Sequence, residues 1–370
     1  MTDQVATDRN LLPTYARLDV TFVEGDGAWL LDADGKRYLD LLGGIAVVAL
    51  GHRHPAPLQA AHAQLDRLWH TSNLYYTRPM QELAAKLSDR FGGADAFFCN
   101  SGAESIEAAL KWARKATGRP GLVALEGSFH GRTIGALSVT GQPAKRAPFE
   151  PLVPGAVFAT PDTLAEHVGG DTAAILLEPV QGEGGVHPLG AETLAHARAL
   201  ADEHGALLVL DEVQTGVGRC GAFFAWERYG VKPDALTLAK GLANGLPIGA
   251  LLVSHDAPTA FEPGDHASTF GGNPVPCAAA CAVVDTIDDE LLAHVRALSQ
   301  RFAAALPNTR GLGLLLAIEL DRPAGPVVEA ALARGLVLGT AGPTTLRLTP
   351  PLTLTDDEAD QGIAILRDVL

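Results

Sequence analysis

ALTLAKGLANGLPIGA, residues 235–250, decides how the rest of the chain is read. Ala235 to Ala239 form a short apolar run around Thr237, the pattern of a buried strand. Lys240 stands at the end of that run, and Gly241 and Gly245 keep the backbone around it free of side-chain bulk. An ammonium in apolar surroundings is costly without a partner. Two readings stay open for this window. Lys240 snorkels to the surface from a strand end, or it is a desolvated lysine that loses its proton readily and forms a Schiff base with a carbonyl.

With 370 residues, 47% hydrophobic and 19% charged, the chain is long and apolar enough to bury a large core. The formal net charge of −15 argues against a nucleic-acid or anionic-membrane partner, though a few placed arginines suffice for an anionic substrate. No apolar run reaches the ~18 residues of a membrane span. The start, MTDQVATDRN, lacks the basic-then-apolar pattern of a secretory leader. Four cysteines without a CxxC pair point to reduced thiols and a cytoplasmic setting. Cys277 and Cys281, one helical turn apart around alanines, read as helix packing. His52 and His54 read as part of a turn rather than as metal ligands, so no metal is expected.

Outward from residues 235–250, the chain alternates apolar runs with helical periodicity. Ala96–Cys99, Gly121–Leu125, Ala173–Leu177, Ala206–Leu210, Ala235–Ala239 and Ile248–Ser254 read as strands. Such alternation predicts an α/β fold with a mostly parallel central sheet covered on both faces, whose ligands bind beyond the carboxyl ends of the strands. Residues 1–50 read as an extended segment and an antiparallel meander. Leu58, Ala61, Leu65, Leu68 and Trp69 lie at helical spacing, and a helix is expected from about Pro79 to Arg90. After residue 286 a smaller α+β unit follows, with one strand over Gly311–Leu320 and a terminal helix over Asp356–Val369. Three parts are expected: an N-terminal segment 1–50 packing with the small domain, a large ligand-binding domain 51–286 and a small domain 287–370.

Several strand ends carry chemistry. Asn100-Ser101-Gly102-Ala103 is a turn into a helix, readable either as a plain Ser cap or as an anion cradle. In Ser128-Phe129-His130-Gly131-Arg132 the phenylalanine can stack on a flat ring and the arginine can grip a carboxylate, or the segment is a surface turn with an apolar plug. Asp211 ends the most apolar strand, where a buried carboxylate needs a cation; a protonated ring nitrogen would serve. Glycosidase-style chemistry lacks a readable second carboxylate. Gly216-Val217-Gly218-Arg219-Cys220-Gly221 matches GxGxxG and raises a nicotinamide cofactor, but Asp211–Thr215 separate it from the strand that such a turn follows directly. Ser268-Thr269-Phe270-Gly271-Gly272 adds two hydroxyls in a Gly-rich loop. A phosphate cradle, a ring stacker, an acid for a ring nitrogen and a Schiff-base lysine together are the parts that hold pyridoxal 5′-phosphate.

These residues, with PTYARLDVTF, HTSNLYY, FFCNSGAES, FHGRTIGALSVTGQ, LEPVQGEGGV, LVLDEVQTGVGR, HASTFGGNP and TAGPTTLRLTPPL, carry a resemblance over nearly the whole chain. The sequence resembles the class III aminotransferases of pyridoxal-phosphate fold type I, and within them the acetylornithine aminotransferase subfamily. That resemblance implies the following roles. Lys240 forms the Schiff base and shuttles the proton. Asp211 pairs with the ring nitrogen, Val213 and Phe129 sandwich the ring, and Gln214 reaches its phenolic oxygen. Ser101, Gly102 and Ala103 bind the phosphate, joined by Thr269 from a second subunit, which implies a homodimer. Arg132 takes the distal substrate carboxylate with Tyr15 and Ser268 nearby. Glu183 gates Arg347, which receives the α-carboxylate of glutamate or 2-oxoglutarate. Val48 and Cys220 depart from residues common in relatives without removing a catalytic group.

The implied reaction moves the ω-amino group of N2-acetyl-L-ornithine to 2-oxoglutarate, as in arginine biosynthesis. Succinylornithine, N-succinyl-diaminopimelate, carrier-bound lysine-pathway substrates and free ornithine are near rivals. A nicotinamide oxidoreductase and a binding protein with a degenerate site are the readings from other classes.

Overall fold

The computed structural model describes residues 10–370; the leader-free reading of the start falls largely on residues 1–9, outside them. Strands β1 (Phe22–Asp26), β2 (Trp29–Asp32) and β3 (Arg37–Asp40) form the expected antiparallel meander, turning at Gly27 and Gly35, both with positive φ.

The central sheet uses β4 (Ala94–Cys99), β5 (Gly121–Leu125), β6 (Ala156–Ala159) and β7 (Thr172–Leu177). A two-residue hairpin, β8 (Val180–Gln181) and β9 (His187–Pro188), precedes β10 (Leu207–Asp211), β11 (Ala235–Leu238) and β12 (Gly249–Ser254). The order is β4-β12-β11-β10-β7-β5-β6, and β12 alone runs antiparallel to its neighbours. Every residue of β7, β10 and β11 is buried, which is why these strands read as unbroken apolar runs. The helix Gly102–Thr117 covers one face through Ile106, Ala109, Leu110 and Ala113. Ser101 caps its start and Gly118, at φ 68°, ends it in the left-handed conformation.

The C-terminal part contains β13 (Thr309–Leu312), β14 (Leu315–Glu319), β15 (Leu336–Val337), β16 (Gly339–Thr340) and β17 (Thr345–Leu348), with the terminal helix at Asp356–Val369. The single strand expected over Gly311–Leu320 is instead a hairpin. Gly313, at φ 59°, turns the chain where a Cβ would lie 2.4 Å from the Arg219 carbonyl oxygen. Leu336–Val337 pair in parallel with β3, and Trp29 Nε1 donates to Glu358 Oε1 at 2.8 Å, so the meander packs on this part.

Helix Pro55–Leu65 stops before the full predicted stripe. Ala61 is buried, but Leu65, Leu68 and Trp69 are exposed, and the last two lie beyond the helix. Cys277 and Cys281 sit in the core on helix Pro274–Thr286. His52 Nε2 is paired with Asp40 Oδ2 at 2.8 Å, while His54 caps the helix that follows. No helix among the described residues is long and apolar enough to cross a membrane.

Candidate active site

The carboxyl ends of β5, β7, β10 and β11 open on a cavity of ≈ 400 Å³. Its walls include Ser101, Gly102, Ala103, Phe129, Arg132, Glu183, Asp211, Val213, Gln214 and Lys240, ten of the fourteen residues singled out from the sequence. Parallel strands end on the same side of a sheet, so segments more than a hundred residues apart converge there.

Lys240 follows β11 and begins a 3-10 turn, Lys240–Ala243, at φ 41°. This is the left-handed region, which a residue with a Cβ enters at a cost. The turn is tied down at Asn244: its side chain accepts the Leu50 N–H and donates to the Gly51 carbonyl, both at 2.8 Å. The Lys240 ammonium makes no hydrogen bond or ion pair among the described residues. Removal from water pushes its pKa below the usual lysine value; Glu183 and Asp211 oppose this and Arg347 reinforces it.

Asp211 is 4% exposed at the tip of β10. Its Oδ2 lies 2.7 Å from His130 Nδ1, and its Oδ1 accepts the Val213 N–H at 3.0 Å and the Thr237 hydroxyl at 3.2 Å. His130 Nε2 is buried without a partner. Beside them, Glu178 accepts N–H groups from Phe129 at 2.9 Å and Gly182 at 3.3 Å; burial pushes its pKa up to about 7 against the pull of His130. Neither His130 nor Glu178 was singled out from the sequence. The one available signal was a Glu-Pro at the end of β7, with the same strand-end placement as Asp211.

Ser101 is a helix cap that also faces the cavity. Its Oγ accepts the Glu104 N–H at 3.2 Å as a helix cap, while Ser101, Gly102 and Ala103 face the cavity at the helix N-terminus. Gly102 packs against Val213: a Cβ there would fall 2.6 Å from Val213 Cγ1. Opposite, Glu183 forms an ion pair with Arg347 of β17, whose other hydrogen bond reaches Gln214 Oε1 at 3.5 Å. Burial alone would raise the Glu183 pKa, but the Arg347 charge and hydrogen bond outweigh it and hold the carboxyl below its ordinary value. Arg347 Nε is buried and unpaired.

Three residues lie apart. Tyr15 is 74% exposed and lines no part of the cavity. Ser268 and Thr269 line a separate cavity with Phe97, Cys99, Glu104 and His266; Ser268 Oγ accepts from Asn100 Nδ2 at 3.1 Å. The GxGxxG segment does not cradle a phosphate. Gly218 packs against Leu352, Ile287 and Leu292, and Gly221 against Arg296, so these glycines serve close packing under the C-terminal part.

Glu212, next to Asp211, turns away and accepts the Ala225 and Trp226 N–H groups at 2.6 and 2.9 Å. Burial raises its pKa from 4.5 to about 8. Between these values the folded chain keeps a proton that the unfolded chain has released, so stability falls as pH rises through that window. Thermal denaturation from about pH 5 to 8 therefore drops more steeply for the native chain than for Glu212→Gln; equal slopes would refute the assignment.

The family model described as Aminotransferase class-III matches residues 13–370. The acetylornithine aminotransferase of Corynebacterium efficiens is 49% identical over 97% of this chain and 94% of its own. Among solved structures, N-acetylornithine aminotransferase from Stenotrophomonas maltophilia superposes with TM-score 0.82 at 36% identity, covering 96% of each chain. Ornithine aminotransferase from Toxoplasma gondii, with partial occupancy of PLP at its active site, superposes with TM-score 0.92 at 30% identity, covering 98% of this chain and 91% of its own. With a near-complete family match and relatives of this identity along its whole length, the chain belongs to the class III aminotransferases.

Proposed function

We propose that the chain uses pyridoxal 5′-phosphate to move the ω-amino group of N2-acetyl-L-ornithine to 2-oxoglutarate, giving N-acetyl-L-glutamate 5-semialdehyde and L-glutamate. The observation that carries this reading is the unpartnered Lys240 ammonium in a cavity that also holds the Asp211 carboxylate and an open helix N-terminus. The full-length likeness to the Corynebacterium acetylornithine aminotransferase supports the substrate.

The residues present fit the cofactor. Ser101 with the backbone of Gly102 and Ala103 suits a phosphate, Phe129 and Val213 suit the two ring faces, Gln214 the phenolic oxygen, Asp211 a protonated ring nitrogen and Lys240 the aldehyde. Bound there, the cofactor supplies an electron sink for the carbon that loses its proton. Lys240 Nζ, eased toward its neutral form by desolvation, takes that proton and returns it. Asp211 keeps a buried negative charge in place through Thr237, Val213 and His130.

Arg132 binds the carboxylate far from the reacting amine; Tyr15 and Ser268, which lie apart from this cavity, are assigned near that end by the family resemblance alone. Glu183 covers Arg347 while the ω-amine donor is bound, then swings aside so that Arg347 receives the α-carboxylate of 2-oxoglutarate or glutamate. A movable ion pair lets one pocket serve two charge patterns.

The working form is a homodimer with shared sites, in which Thr269 reaches the phosphate of the second subunit. Its exposure and its place outside its own chain's main cavity support this. So does the exposed apolar surface of Trp69, Leu74, Tyr75, Tyr76 and Phe270, held together where Asn73 Nδ2 donates to the Ser268 and Gly271 carbonyls at 2.8 Å. The division into 1–50, 51–286 and 287–370 is supported by the pairing of β3 with Leu336–Val337. Four buried free cysteines fit a cytoplasmic setting.

The test is a donor panel with 2-oxoglutarate, comparing kcat/KM for N-acetylornithine, N-succinylornithine and ornithine, together with the visible absorbance of the PLP-loaded protein. N-acetylornithine gives the highest value and bleaches the absorbance. A protein that takes up no PLP, or that prefers another donor, overturns the reading.

A further inference from the structure

Phe129 is flanked by two cations. Arg132 Cζ lies 5.6 Å and Lys145 Nζ 4.9 Å from its ring centroid. Arg132 and Phe129 line the main cavity, and Lys145 stands half-buried behind them on the short helical turn Pro143–Arg146. The position of Lys145 is built rather than incidental. Gln142 Nε2 donates to the Gly127 and Ser128 carbonyls at 3.1 and 3.4 Å, which turns its Oε1 toward Lys145 Nζ, from which it accepts. The neighbouring Arg146 points elsewhere, donating to the Thr140 carbonyl at 2.9 Å and lying 3.8 Å over the Phe158 ring.

Neither Arg132 nor Lys145 has a carboxylate within 4.0 Å among the described residues, although three carboxylates lie in the cavity wall. Glu183 is engaged by Arg347, Asp211 by His130, and Glu178 by two backbone N–H groups. Burial holds the Lys145 pKa below the usual lysine value; Glu183 opposes this, and Arg132 and Arg347 add to it. This end of the cavity therefore carries uncompensated positive charge.

We infer that Lys145 is a specificity-determining residue: with Arg132 it makes the distal end of the site dicationic, which favours N-acylated amino-acid donors over free diamino acids. The inference rests on the acyl-donor reading above and deepens it. Both kinds of donor carry an α-carboxylate that the two cations attract. Free ornithine also carries an α-ammonium beside it, which the cations repel; acylation removes that charge and leaves the carboxylate. Selection then depends on charge at the distal end as well as on room for the acyl group.

The experiment compares kcat/KM for N-acetylornithine and for ornithine, in single-turnover half-reactions of PLP-loaded protein, among the native chain, Lys145→Gln and Lys145→Arg. In Lys145→Gln the acetylornithine-to-ornithine ratio falls by about three- to tenfold, mainly through KM, and Lys145→Arg keeps the native ratio. A ratio unchanged in Lys145→Gln, including an equal loss for both donors, overturns the inference and leaves the function standing. A fall of the same size in Lys145→Arg overturns it too, because shape rather than charge is then being read. A native chain with no preference for the acylated donor overturns both.

Discussion

Lys240→Ala lowers the rate of glutamate formation by about 10⁴-fold or more, while the protein stays folded. The rate falls because Lys240 Nζ is the one amine among the described residues lining the cavity, and it has no partner there. Arg347 is held by Glu183, His130 by Asp211, and arginine does not release its proton near neutral pH. His130 and Glu178 also line the wall, but each is already engaged, by Asp211 and by two backbone N–H groups. The fold survives because the ammonium makes no hydrogen bond or ion pair among the described residues, so its removal orphans nothing. The turn itself is held by Asn244 and by Gly241 against Ala49. The strained φ of 41° is also no harder for alanine than for lysine. Steady-state turnover and thermal denaturation on the same preparation check both halves. Activity within tenfold of the native chain would remove Lys240 from the chemistry, whereas a large loss of melting temperature would make its role structural.

Asp211→Asn lowers kcat by about 10²–10³-fold with little change in KM, equally for both half-reactions. The amide keeps one oxygen to accept from Val213 and Thr237, so the shape of the site persists, but the buried negative charge is gone. A positive ring nitrogen placed against it loses its counter-charge in a setting where little water can substitute. Asp211→Ala behaves differently. It orphans the Val213 N–H, the Thr237 hydroxyl and His130 Nδ1 together, at about 1–3 kcal/mol for each buried group, so it loses stability along with activity. The comparison separates charge from scaffold. If Asp211→Asn matches the native kcat, the carboxylate has no electrostatic role. If kcat falls for one donor only, Asp211 reads the substrate instead.

How far the site was legible depended on whether a residue's role is local. Lys240, Asp211 and Ser101–Ala103 sit at the ends of apolar runs, and in a parallel sheet those ends share one side, so periodicity alone places them together. Phe129 and Arg132 follow β5 and were legible for the same reason. Glu183 and Arg347, separated by 164 residues, came only from the family resemblance; no local pattern links a turn after β7 with a strand of the C-terminal part. His130 was passed over because its meaning lies in Asp211, 81 residues on, and because a lone histidine in a turn carries no periodic signal. GxGxxG misled in the other direction. Its glycines answer to Leu352, Ile287 and Arg296 pressing on the backbone, and a motif does not reveal what presses on it.

From composition, apolar period and strand-end residues, the sequence by itself determined an α/β chain with a mostly parallel sheet and a lysine at its carboxyl edge. Its long motifs added membership of the class III aminotransferases. The tertiary structure decided the rest: that β12 runs antiparallel, that Leu68 and Trp69 stand in the open, that Ser268 and Thr269 turn away from their own chain's cavity, and that Lys145 joins Arg132 on the Phe129 ring. The physical reason is the same in each case. Burial pattern and turn chemistry are properties of neighbours in sequence, whereas strand order and the partner of a charge are set by which distant segments pack against one another.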